Sequence, residues 1–231
     1  MKLTNLRQFA VAATLILAAS TSTQAQVVTN FFQAVTNLSP AAYWPLQETG
    51  QPPLADVETN LGSFGNIANA IYSSTNAIKA QPGVAGGYLS VAFVGGSSSG
   101  SFLGVPNASP KISLPVGPFS VEAWIYPSNL NNNLTIMAQA GLTATPGLNG
   151  TQSGAGWSLN QNYDPYTGVA TPGWSFHVYN GVNIFGGADA LVATNYSTNT
   201  WYHLVGVFDG TNATLYVDGV NATTASVQMS A

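Results

Sequence analysis

The chain has 231 residues, 45% hydrophobic and only 5% charged, with no cysteine. Four Lys and Arg against eight Asp and Glu give a net charge of −4, and so few cations cannot build an electrostatic track for phosphates, which excludes nucleic acid as a partner. The missing cysteine excludes disulfides, thiolate metal sites and a lipid-modified N-terminal cysteine.

Residues 1–25 read as an export signal. Lys2 and Arg7 supply a positive start, "FAVAATLILAA" (Phe9 to Ala19) a short apolar run, and "STSTQAQ" the small residues for cleavage after Ala25. That run is too short to cross a bilayer and no later one is longer, so no membrane insertion is expected once the signal is removed. Removal leaves Lys79 and Lys111 against eight acids, a net charge of −6, which also disfavours an anionic membrane surface.

Residues 26–40 form a lead-in able to be helical. "AAYWPLQE" (Ala41 to Glu48) is expected to be the first strand, with Pro45 marking an edge or bulge. "TGQPPLADVETNLGSFGN" reads as a long loop, and "GGYLSVAFVGG" and "SFLGVP" as short extended runs. "FSVEAWIYP" alternates, with Phe119, Val121, Ala123 and Ile125 on one face and Ser120, Glu122, Trp124 and Tyr126 on the other. "LNNNLTIMAQAG" gives a turn and a strand; "GWSLNQN", "GWSFHVYNG" and "ALVATN" give further strands. "WYHLVGVF" leads through Asp209-Gly210-Thr211-Asn212 into "ATLYV", and Asp218-Gly219 makes a two-residue hairpin into "VNATTAS". Many short strands and no sustained helical period predict an all-β sandwich.

Four of these pieces, "AYWPLQETG", "PGVAGGYLSVAFVGGSSSGSFLGVP", "PFSVEAWIYP" and "WYHLVGVFDGTNATLYVDGV", come in the order seen in laminin-G-like domains. Residues 41–231 therefore resemble the laminin-G-like jelly-roll domains of the concanavalin A-like lectin and glucanase superfamily, in the form found in bacterial surface proteins. The resemblance implies a two-sheet antiparallel jelly-roll sandwich with ligand sites on a concave face or loop rim. In that family two further strands ordinarily follow the "YVDG" hairpin, whereas this chain ends at "SVQMSA". The expectation is a domain lacking its last strands, either a fragment or one completed by another segment.

The acids Asp56 and Glu58 stand two residues apart, and on a strand they would share a face, but Pro, Asn and Gly around them say loop. Retaining glycoside hydrolysis needs two carboxyls about 5–5.5 Å apart, and the family's hydrolytic strand motif is absent, so no catalytic residue is expected. Glu122 matches a residue of the non-catalytic family pattern and reads as structural. His177 and His203 fall inside strands without a serine-elbow motif, as half-buried histidines of sheet faces, and "GGSSSGSFLG" lacks the helix and lysine of a phosphate loop. Calcium is the one cofactor left open, since some laminin-G-like domains hold it with acids, Asn side chains and carbonyls. Asp164 with Asn160 and Asn162 is the first candidate, and Asp189 the next. For a sugar, exposed aromatics would supply the stacking surface; Trp157, Tyr163, Tyr166 and Trp174 fall in a stretch expected to be rich in loops, whereas Trp44, Trp124 and Trp201 are expected to pack. The expected function is an exported, non-catalytic recognition or adhesion module for glycan or surface protein. The alternatives are a glycoside hydrolase or lyase of the same superfamily, and a structural spacer.

Overall fold

The computed structural model describes residues 31–50, 56–94, 100–105, 117–130, 134–144, 152–163, 170–179, 187–192 and 195–226. The export signal at 1–25 and the opening of the lead-in lie outside the described residues. Among those described, no helix is long and apolar enough to cross a membrane.

Two four-stranded antiparallel sheets form the body. One runs in the order β10 (Gly187–Val192), β9 (Trp174–Tyr179), β8 (Gln152–Gln161) and β7 (Leu134–Ala144); the other runs β13 (Val220–Ser226), β12 (Asn212–Val217), β11 (Tyr202–Phe208) and β6 (Phe119–Ile125). The core between them is built by alternation. Trp157, Leu159, Trp174, Phe176 and Val178 face Leu204, Phe208, Ala213 and Leu215, with Phe119, Val121, Ala123 and Ile125 closing one side. The inward set of β6 is the one its sequence dictates. Burying such large side chains, at roughly 1.5–3 kcal/mol each, is what holds the two sheets together.

The turns follow their residues. Asp218 (φ 52°) and Gly219 (φ 78°) both take the left-handed conformation that a two-residue hairpin needs, and Asp218 Oδ1 accepts from the His203 N–H at 2.8 Å. At the other hairpin, Asp209 accepts from the Thr211 and Asn212 N–H groups at 2.7 and 2.6 Å.

Within residues 31–105 the structure departs from expectation at two places, 41–48 and 56–58. The lead-in does contain a helix, α1 (Phe31–Asn37), whose Phe31 ring meets Tyr88 and Trp124 edge-on. Ala41–Glu48, however, is not a strand. Pro45 has no N–H to give a ladder and Leu46 turns to φ 57°, so side chains replace the ladder: Asn60 Oδ1 accepts from the Tyr43 N–H, Glu58 Oε1 from the Leu46 N–H, and Gln47 clamps both the N–H and C=O of Leu89. The expected loop at 56–58 instead holds a two-residue strand, β1 (Val57–Glu58), paired with β2 (Ala70–Tyr72), which in turn pairs with β5 (Leu103–Gly104). A hairpin of β3 (Ile78–Pro82) and β4 (Leu89–Ala92) completes this part.

Candidate functional site

The outward face of the β7–β10 sheet is polar and yet largely buried. Cross-strand register sets Ser158, His177 and Asp189 in one row, and Thr135, Asn160 and Ser175 in the next. Ser158, Asn160, Ser175 and His177 are all at most 3% exposed. Buried polar groups cost free energy unless paired, and one row is paired throughout. Asn160 accepts from Thr135 Oγ1 at 3.2 Å and donates to the hydroxyls of Ser158 and Ser175 at 3.0 and 3.2 Å; Ser175 Oγ donates to the Tyr163 carbonyl at 2.8 Å.

The other row has an exception. Neither ring nitrogen of His177 finds a hydrogen-bond partner among the described residues, and Asp189 Oδ1 stands 3.8 Å from Nδ1, beyond hydrogen-bonding distance. The Tyr179 ring meets the imidazole edge-on, with centroids 4.4 Å apart. Tyr163, Tyr179 and Asp189 are the partly exposed members of this surface. Burial, outweighing a hydrogen bond with Ser158 and reinforced by nearby Asp189, pushes the Tyr179 hydroxyl pKa up, so it stays neutral. The result is a polar floor with two tyrosine rings and one carboxylate at its rim.

The predicted site residues are distributed unevenly over this geometry. Tyr163 and Asp189 fall at the rim. Trp157 and Trp174 do not lie in loops: both sit in strands with their rings in the core, 7% and 2% exposed, because their alternation places them on the inward face. Trp174 stacks on Tyr196 at 4.3 Å and offers no face to a sugar. Asn160 and Asn162 both bond to protein groups. Asn160 is engaged in the network above, and Asn162 donates to the Leu130 carbonyl and the Tyr196 hydroxyl while accepting from the Gly173 N–H. Asp164 and Tyr166 lie outside the described residues. Among those described, no group of three or more His, Cys, Asp or Glu could hold a metal. Tyr179 and His177 escaped the sequence reading as site residues; their signal was their place on the face opposite the apolar one in "WSFHVY".

Two further clusters carry titratable groups. On the outer face of the second sheet Trp124, 37% exposed rather than packed away, stacks on His203 at 4.6 Å, and Glu122 Oε1 stands 3.0 Å from His203 Nε2. Glu122 is thus a partner of His203, which fits a structural role. Near β1, Asp56 and Glu58 do not act as a pair. Lys79 donates to Asp56 at 2.7 Å and holds its carboxyl below the usual range, while Glu58 is fully buried. Beside Glu58 opens a cleft of about 270 Å³ lined by Pro45, Gln47, Glu48, Thr59 and Leu61. Glu48 and Glu58 both line this cleft, and Glu48 is the neighbouring carboxyl that, after burial, raises the Glu58 pKa.

Over residues 96–230 the chain matches the family described as the Concanavalin A-like lectin/glucanases superfamily, in its laminin-G-like form. That span, a little over half of the chain, takes in every strand from β6 to β13 and so the whole polar face. No curated protein and no solved structure matches the chain.

Proposed function

Since the chain belongs to the laminin-G-like family of the concanavalin A-like lectin/glucanase superfamily, whose members serve as carbohydrate- or protein-binding modules and are generally non-catalytic, we propose that it is an exported recognition module. Its ligand is a neutral glycan, taken at the rim of the β7–β10 face. The observation that carries this reading is the rim itself: Tyr163 and Tyr179 partly exposed beside Asp189, over a floor of hydroxyl, amide and imidazole groups. Tyrosine rings offer area to the apolar faces of a sugar at low entropic cost, and a carboxylate beside them accepts from sugar hydroxyls. With no Lys or Arg among these residues, the face favours uncharged saccharides over anionic ones. The signal-like start and the commonly extracellular setting of laminin-G-like domains support export.

A glycan array followed by titration calorimetry tests the reading. Tyr179→Ala is expected to weaken the best glycan about tenfold, the scale of one aromatic contact of ~1.4 kcal/mol, and Asp189→Asn to weaken it further without unfolding the chain. Repeating the titration in calcium and then in EDTA shows whether Asp189 works through an ion. Unchanged affinity in both variants, or binding confined to proteins, would overturn the assignment.

A further inference from the structure

The Pro45–Glu48 segment lies against β1 without a ladder, so its position depends on side chains, and one of these contacts sets two carboxyls side by side. Glu58 is 0% exposed, and its two oxygens accept from the Leu46 N–H at 3.0 Å and the Tyr72 hydroxyl at 3.3 Å. Against it stands the carboxyl of Glu48, whose Oε2 is buried and meets no donor among the described residues. Two ionised carboxylates present only acceptors to each other, so this arrangement is attractive only while one proton sits between them.

The surrounding charges do not relieve the pair. Asp56, two residues before Glu58, is paired with Lys79. Tyr72, on β2, donates one neutral hydroxyl. Lys79, on β3, is the nearby cation, but its ammonium is taken by Asp56 and lies 4.6 Å above the Tyr72 ring.

We infer that Glu48 and Glu58 form a proton-dependent latch: the shared proton pins Pro45–Glu48 onto β1, and its loss to solvent frees Glu48 to swing outward and widens the adjoining cleft. Glu48 is the member that moves, since it is partly exposed while Glu58 is held by two donors. Burial, reinforced by Glu48, pushes the Glu58 pKa up to about 8, far above the value of about 4.3 in an unfolded chain. The folded state therefore holds a proton that the unfolded chain has already released. The latch is fully stabilising below the ordinary carboxylate range and is lost as pH rises through about 8.

Hydrogen exchange of the intact chain, read by mass spectrometry on peptides covering residues 41–50 and corrected for the intrinsic pH dependence of exchange, tests the latch between pH 6 and pH 9.5. Protection of this segment is expected to fall by up to about tenfold per pH unit around the transition, while peptides of β8 and β11 hold theirs. Glu58→Gln places a permanent amide donor where the proton sits, and is expected to keep the segment protected at both pH values. Glu48→Gln supplies the donor from the other side and gives the same expectation should the first variant fail to fold. Constant protection in the unmodified chain, or the same loss in a Gln variant, overturns the latch. So does a loss spread evenly over the sandwich.

Discussion

The Tyr196 hydroxyl receives two amide donors, from Gln161 Nε2 at 2.6 Å and Asn162 Nδ2 at 2.8 Å, where the end of β8 leaves the sheet. All three side chains are at most 8% exposed. Tyr196→Phe keeps the ring stack on Trp174 but strips the acceptor from two buried donors, and unfolding in denaturant is expected to show a loss of about 1–3 kcal/mol. Gly206 makes the complementary case, in which absence of a side chain is the requirement. A Cβ there would lie 2.5 Å from the Phe176 ring of the facing sheet, so Gly206→Ala is expected to cost about 1–3 kcal/mol by overpacking, readable as a lowered midpoint without a changed slope.

At the scale of elements, the strands that alternate most cleanly were the most legible. In β6, β11 and β12 the inward residues can be picked from the sequence alone, and the Asp218-Gly219 turn follows from the two positive φ angles its residues tolerate. The 41–48 segment looks like a strand by composition, while its Tyr43 and Leu46 N–H groups bond to the Asn60 and Glu58 side chains and its Gln47 side chain bonds to Leu89, pairings that no local pattern reveals. The polar face was hidden for another reason. Alternation marks Ser158, Asn160, Ser175 and His177 as the non-core face, which ordinarily means solvent, whereas all four are at most 3% exposed. The same alternation, taken strictly, would have moved Trp157 and Trp174 from ligand candidates into the core. Gly187 opens β10 at φ 147°, and a Cβ there would run into the Val178 carbonyl. Gly187→Ala is therefore expected to loosen the β9–β10 pairing at that end, with hydrogen exchange rising there before elsewhere, at a cost of roughly 1–3 kcal/mol.

For the molecule as a whole, the scarcity of charge sets how it responds to its medium. With 5% charged residues and no cation at the proposed rim, glycan affinity measured calorimetrically is expected to stay nearly constant from low to high salt. A steep salt dependence would point instead to an anionic ligand steered by charges elsewhere. Acid acts at a different place from salt. The Asn212 backbone N–H holds the Asp209 carboxyl below its usual range, with the Asn212 side chain and the Thr211 N–H assisting, so this hairpin gives up stability only as pH falls through that lowered value.

Lys79 gives the chain a further property. A trypsin-like protease cuts after Lys or Arg in backbone that can be drawn out into its cleft, and the sequence offers it four such residues in all. Lys79 is 3% exposed, seated in strand β3 at its register shift against β4, and tied to Asp56. The ion pair that anchors a small hairpin thus also hides a cleavage point, and between Arg7 and Lys111 the folded chain presents such an enzyme with nothing to cut.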